Sequence, residues 1–294
     1  MMHVTSLIDP SLANLRKNSA MCDGDLPNIF ILREERVTAF DAVIYNPIVC
    51  LILQGAKVTT NGDQIIKLSA GDALIVSHDL PVQSKITMAS AAKPYLALII
   101  SLDLSVVRSL YEQVGSHVRE VPDARSMSSC AADPELIAAI SRYLALMDTP
   151  LCAKVLGPSI LREIHFRLLM LPAGGMLRSL LSVNSHASRV SKAILKLRAE
   201  FRKTLGVADL AKVAGMSQSS FYGHFKLMTG TTPLQYQKDL RMIAARDLLR
   251  SGRHSVLEAS FEVGYESPTH FSRDYKRKFG VIPSKEATVV LEHW

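Results

Sequence analysis

The chain has little of what marks a secreted, membrane-spanning or metal-binding protein. Its 294 residues include four cysteines, Cys22, Cys50, Cys130 and Cys152, and no two form a CxxC pair. That spacing suggests neither a disulfide framework nor a zinc site and fits a reducing cytoplasm. No apolar run approaches 18 residues, and the opening MMHVTSLIDPSLANL lacks a charged region followed by a long apolar core. Neither a membrane span nor a signal peptide is predicted, so the protein is expected in the cytoplasm with no membrane partner. Histidine is scarce where short apolar runs cluster: between Pro27 and Leu102 only His78 occurs, with Asp72 and Asp79 nearby. One histidine does not make a metal site. No catalytic residue, metal ligand or cofactor is expected.

What charge there is lies unevenly. From Met1 to Ser185 there are 16 Lys and Arg against 17 Asp and Glu, whereas from His186 to Trp294 there are 18 against 10, a net charge of +8. A basic C-terminal segment is the electrostatic footprint of a polyanion binder, although many soluble proteins also carry a basic surface.

That basic segment contains one helical device written twice. VADLAKVAGMSQSSFYGHFKLMTGTTP begins at Val207, and VLEASFEVGYESPTHFSRDYKRKFGVIP begins at Val256. A shift of 50 superimposes Ser217 on Ser267, Phe221 on Phe271, Phe225 on Tyr275, Gly230 on Gly280 and Pro233 on Pro283. Upstream of the turn the shift is 49, so the second copy has one extra turn residue. Each copy reads as a short helix, a glycine and a serine that opens a second helix. Gly215 and Gly264 suit the left-handed conformation that ends the first helix. Phe221 with Phe225, and Phe271 with Tyr275, are four apart and point together into a small core. Outside remain Gln218, Ser219, Tyr222, Gly223 and Lys226 in one copy, and Pro268, Thr269, His270, Ser272, Arg273 and Lys276 in the other. Each is either an ordinary solvated face or a surface that enters a DNA major groove. Duplication together with a basic face favours the groove.

From Val207 to Ser284 the chain resembles the AraC/XylS-type bacterial transcription regulators. The residues that carry the likeness are GMSQSSFYGHFK, TGTTPLQY and VGYESPTHFSRDYKRKFGVIP with the helix between them. The resemblance implies two helix-turn-helix units, 207–229 and 256–279, each setting its second helix in double-stranded DNA. A helix from Pro233 to Arg250 would be about 27 Å long, against about 34 Å for a turn of B-DNA. Such a rod holds two recognition helices in successive grooves. Tyr236, Leu240, Ala244, Ala245, Leu248 and Leu249 supply its packing positions, and Arg241, Arg246 and Arg250 are available for solvent, carboxylates or phosphate. Ser219 and Gly223 are small where the family often has larger readers, which shifts the expected base discrimination to Thr269, His270, Ser272 and Arg273.

Toward the N-terminus, IDPSLANLRKN reads as a short amphipathic helix. NIFILRE, PIVCLILQGA, KVTT, QIIKLS, DALIVS, QSKIT and YLALIISL then read as strands, with Asn61–Asp63 a tight turn. Many short strands predict a β-barrel or sandwich. LSAGDALIVSHDLPVQSKI resembles the second half of a cupin barrel, and with the preceding strands it looks like the N-terminal domain of a subgroup of AraC-type regulators, which implies a barrel that senses a small molecule. His78 is expected on a loop or rim or in contact with that effector. Cys50 is expected as a buried core residue or a thiol that meets the effector.

LSVVRSLYEQV, PELIAAISRYLALM and PSILREIHFRLLMLP read as helices, with Asp133 and Asp148 near boundaries. The Leu136–Ile140–Leu144 stripe and the Ile160–Ile164–Leu168–Leu171 stripe are expected to cover the barrel, or one of them to pair with a second copy in a homodimer. PAGG, Pro172 to Gly175, reads as the start of a linker. ASRVSKAILKLRAEF opens the next domain, with Val190, Ile194 and Leu197 inward and Arg189, Lys192, Lys196 and Arg198 outward, facing phosphate or solvent.

The sequence thus predicts an α+β protein with separate cores. Residues 1–178 form a cupin-like barrel with following helices, and residues 186–294 form an all-α DNA-binding domain. The function expected is an effector-responsive transcription regulator, with RNA polymerase a partner if it activates. The rival readings are a cupin-type metalloenzyme and an effector-independent nucleic-acid-binding protein.

Overall fold

The computed structural model describes residues 28–114, 124–147, 149–182 and 185–289. The helix expected in IDPSLANLRKN and the boundary expected at Asp148 lie outside them. The strands form two antiparallel sheets. β1 (Ile29–Glu34), β3 (Ile48–Gln54), β6 (Asp72–Val76), β8 (Tyr95–Ser101) and β9 (Met127–Ala131) join in the order β1-β8-β3-β6-β9. β2 (Asp41–Tyr45), β4 (Ala56–Asn61), β5 (Gln64–Ser69) and β7 (Leu80–Met88) join as β2-β7-β4-β5. In β4 and β5, Asn61 pairs with Gln64, and Gly62 takes a φ of +55° in the tight turn.

The five-stranded sheet is buried on both faces. Along β3, Val49, Leu51 and Leu53 point to the helices, whereas Cys50 and Ile52 point between the sheets. This two-sided burial explains why PIVCLILQ is a continuous apolar run rather than an alternating one. Two strands escaped the sequence reading. β2 reads DAVIY between turn residues, and β9 reads MSSCA, too polar to signal burial. β7 also begins three residues before QSKIT and includes Pro81.

Helices cover the outer face. α1 (Leu104–Val114), α2 (Pro134–Leu144) and α3 (Pro150–Met170) precede a 3-10 turn at Pro172–Gly174 and α4 (Gly175–Leu181). Asp133 caps α2, its carboxylate accepting from the Leu136 N–H at 2.7 Å. α3 starts eight residues before the expected Pro158, which sits inside it on an exposed side. Both apolar stripes lie in the core beneath α2 and α3, so neither is left over for a second copy. PAGG does break the helix, but it is no exposed linker. Ala173 and Gly174 are buried, and the Arg178 guanidinium donates to the Leu169 and Leu171 carbonyls across the bend.

α5 (His186–Glu200) leads into the C-terminal half, with Val190, Ile194 and Leu197 buried as expected. There follow α6 (Val207–Ala214), α7 (Gln218–Thr229), α8 (Pro233–Arg250), α9 (Val256–Glu262), α10 (Pro268–Phe279) and α11 (Pro283–Val289). The cores are not separate as expected. One apolar cluster runs from between the sheets, through Leu80, Met127 and Met176, to Ile194, Phe221, Phe225 and Tyr236. A smaller one, around Met242, Leu249, Phe271 and Tyr275, belongs to the second helix-turn-helix unit.

Gly215 and Gly264 adopt φ of +63° and +85° and end the first helix of each unit. A β-carbon on Gly215 meets nothing, whereas one on Gly264 would lie 1.9 Å from the Arg202 carbonyl oxygen. Gly215→Ala should therefore cost about 1–2 kcal/mol in urea unfolding, the left-handed penalty alone. Gly264→Ala should cost clearly more, and equal losses would show that the Arg202 backbone yields freely.

Candidate nucleic-acid interface

Each recognition helix starts on a serine. Ser217 accepts from the Ser220 N–H at 3.3 Å, and Ser267 accepts from the His270 N–H at 3.4 Å. Each ends on a left-handed glycine, Gly230 or Gly280. The inner faces are fixed by aromatic packing. Phe221 and Phe225 have ring centroids 5.5 Å apart, and Phe271 and Tyr275 5.6 Å apart, all fully buried. The His224 ring also stacks at 3.8 Å on His186, which locks α7 against α5. Anchored from behind, the opposite faces are presented outward. Gln218, Ser219, Tyr222, Gly223 and Lys226 are exposed on α7, as are Thr269, His270, Arg273 and Lys276 on α10. Pro268 and Ser272 are half-buried.

The two faces differ in charge. Lys226 is the single lysine or arginine of α7, on the same face as Tyr222. On α10, Arg273 and Lys276 have no ion pair among the described residues. Arg277 is held by Asp274, and Lys278 by Asp239 at 2.8 Å.

Helix α8 spans Pro233 to Arg250, the bounds read from the sequence, and joins the units. Its arginines have partners within the fold. Arg241 donates to the carbonyls of Phe201, Arg202, Lys203 and Gly264. Arg246 is buried, pairs with Asp41 of β2 and lies 4.5 Å over the Phe279 ring. Arg250 pairs with Glu286. On α5, Arg198 pairs with Asp79 at 3.2 Å and Lys196 with Glu200, so the basic side of that helix is only partly free.

These contacts tie the sheets to the DNA-binding half, and sequence patterning missed them. The Tyr236 hydroxyl donates to the Asp79 carbonyl. Ser126 bonds the Met228 carbonyl through both its N–H and its hydroxyl. His78 lies in the loop between β6 and β7, where it forms part of this joint and is not exposed. It is buried, with Nε2 2.6 Å from the Ser126 hydroxyl and Nδ1 3.0 Å from the Ser77 hydroxyl. Cys50 is buried between the sheets, as expected of a core residue, with its thiol 3.4 Å from Lys57 Nζ. The two candidate effector residues are thus in different places.

Paired recognition helices on a common rod, behind a two-sheet domain, define a DNA-binding transcription regulator. The family described as AraC-type transcriptional regulator N-terminus matches residues 25–176, and a helix-turn-helix domain family matches residues 210–287. The chain belongs to the AraC-type transcriptional regulators. It is 25% identical over 242 residues to the virulence regulon transcriptional activator VirF of Yersinia enterocolitica, covering 80% of this chain and 86% of that protein. It is 23% identical over 279 residues to the HTH-type transcriptional regulator ExsA of Pseudomonas aeruginosa, covering 92% of each. The crystal structure of an apo form of ToxT from Vibrio cholerae, a single-substitution variant, superimposes with a TM-score of 0.53 at 12% identity, over 90% of this chain and 98% of that one, a likeness of fold. The relatives are regulators, which removes the metalloenzyme alternative. No helix among the described residues is long and apolar enough to cross a membrane.

The joint at His78 has a pH signature. Burial pushes its imidazole down to about 4, against about 6.5 in an unfolded chain. The unfolded state therefore takes up the proton first as pH falls. Stability is complete above about pH 6.5 and declines toward pH 4, by about 3 kcal/mol. His165, also pushed down by burial, adds in the same direction. Urea unfolding of His78→Gln at neutral and acid pH should show most of this dependence gone. An unchanged slope would place the titration elsewhere.

Proposed function

We propose that this regulator reads two successive major grooves with α7 and α10 and adjusts that binding to a small molecule received by the two-sheet domain. The reading is supported above all by two outward recognition faces anchored to one 18-residue helix, about 27 Å long. In this assignment Gln218, Ser219, Tyr222, Gly223 and Lys226 meet the first groove. Thr269, His270, Arg273 and Lys276 meet the second, with Pro268 and Ser272 at its edge. The effector acts by preferring one arrangement of the joint formed by Asp41, Asp79 and Ser126. The protein works in the cytoplasm, and where the outcome is activation, as the name of VirF records for that protein, RNA polymerase is a further partner.

The domain also has a face for a second copy. With both core stripes covered, the outer side of α3 still exposes Leu151 at 74% and Val155 at 63%, one helical turn apart. We assign homodimer pairing to that side. Leu151→Glu with Val155→Glu should convert a dimer to a monomer in light scattering while leaving the melting temperature near that of the unaltered chain. A dimer that survives both charges pairs elsewhere.

Footprinting of the full chain on its operator should show two protected groove segments about one helical turn apart. Arg273→Ala should relax preference at one or two base pairs, at about 1–3 kcal/mol. Equal weakening on specific and random duplexes would make Arg273 a phosphate contact, and a single protected segment would remove the two-groove reading. A small-molecule extract that never alters operator affinity would remove the effector.

A further inference from the structure

Helix α3 breaks the rules of a helix interior where nothing in its packing asks for it. Gly157 and Pro158 stand side by side within the helix, and glycine and proline are the two residue types that disfavour a helix interior most. Gly157 is not among the glycines with a positive φ, and a β-carbon there would meet only the Tyr143 ring, at the ordinary contact distance of 3.5 Å. Pro158 is exposed, so no neighbour selects its ring. Alanine at either position would suit the helix better.

What the pair shapes is a cleft. About 300 Å³ of space lies between the end of α2 and the start of α3, with Tyr143, Ala153, Lys154, Gly157, Pro158 and Leu161 in its lining. The absent side chain of Gly157 keeps this space open beside the Tyr143 ring. No residue of α3 before Gly157 is buried, so packing does not close it from that end. Pro158 adds a polar feature to an otherwise apolar wall. Having no N–H, it cannot donate to the Lys154 carbonyl four residues back, which leaves a backbone acceptor without its helical donor at the edge of the cleft. The Lys154 side chain is itself exposed, and an ammonium in water contributes little to charge selection. Local rules of helix formation are broken chiefly where function requires it, and an apolar recess with one placed polar group is the usual form of a small-molecule site.

We propose that the cleft between α2 and α3 binds a small uncharged aromatic molecule with one N–H or O–H donor, of the indole or phenol class. The ring lies against Tyr143, Ala153 and Leu161, and its donor takes the Lys154 carbonyl in place of the N–H that Pro158 lacks. The site belongs to the helical cover and lies apart from the sheet interior. It does not depend on whether the two-sheet domain adjusts DNA binding.

Calorimetric titration of the full chain with indole and with 1-methylindole tests this. Indole should bind, and 1-methylindole should bind at least roughly tenfold more weakly, because it covers the carbonyl without offering a donor. Pro158→Ala restores the missing N–H. That variant should melt at least roughly 2 °C above the unaltered chain and should bind the two compounds alike. Gly157→Leu fills the cleft and should bind neither; if it fails to fold, the Pro158→Ala comparison decides alone. The proposal is overturned if the unaltered chain binds no indole or binds both compounds equally. It is overturned too if Pro158→Ala keeps the preference or melts lower, or if a folded Gly157→Leu chain binds indole as before. Absent indole binding together with a dimer that Gly157→Leu converts to a monomer would give the cleft to a second copy instead. None of these outcomes reads operator affinity, which tests the effector reading separately.

Discussion

The Arg241 guanidinium sets the geometry on which DNA reading depends. From the middle of α8 it donates to Phe201, Arg202 and Lys203 at the end of α5, and to Gly264 in the turn of the second unit. One planar fork thus holds the segment after α5 and the turn of the second unit against the rod that joins the units. Lysine, with a single ammonium, cannot span that set of acceptors. The close approach of Gly264 to the Arg202 backbone belongs to the same arrangement, since only a residue without a β-carbon lets the two segments meet there. The separation of the recognition helices is therefore a property of packed backbone and not of helix length alone.

The two units are held differently. The first shares its apolar cluster with the sheet interior and hydrogen-bonds to Ser126 and Asp79. The second has its own small core and reaches the sheets chiefly through Asp41, Arg246 and Phe279. A change between the sheets consequently has two routes outward, a broad apolar one to α7 and a narrow ionic one to α10. Coupling along either requires an effector that binds one arrangement more tightly than the other.

Much of the C-terminal half was legible because its signals are local. Ser217 and Ser267 cap within three residues, Gly215 and Gly264 end their helices by backbone conformation, and the Phe and Tyr pairs are one turn apart. Pro233 fixed the start of α8 for the same reason. The parts that could not be read depend on residues far apart in sequence. Arg246 and Asp41 are separated by 205 positions, and Ser126 and Met228 by 102. On a helix surface, an arginine bound for a distant carboxylate has the same spacing as one bound for phosphate. Lys57 was hidden differently: in KVTTN the residues on both strand faces include polar ones, so alternation did not say which face was buried. A lone histidine after a strand reads as a loop residue, which His78 is, but its burial depends on Ser126, beyond two further strands and a helix.

The same distinction between local and distant partners alters how the net charge of the C-terminal segment is understood. A charge of +8 over His186 to Trp294 suggests a strongly salt-dependent DNA binder. Yet Arg198, Lys238, Arg246, Arg250, Arg277 and Lys278 are held in ion pairs, and Arg241 is held by carbonyls. Counterion release follows the phosphates actually neutralised and not the formal charge. Cations already paired within the fold contribute less to that release, so the recognition faces present a smaller charge than the sequence total, concentrated at Arg273 and Lys276 with Lys226 on the other helix. In the proposed assignment, Tyr222 and the small residues beside it would offer α7's groove mainly shape and apolar contact, whereas Arg273 and Lys276 on α10 would offer charge-assisted hydrogen bonds. The duplicated motif has thus kept one backbone while its two outward faces have diverged in chemistry.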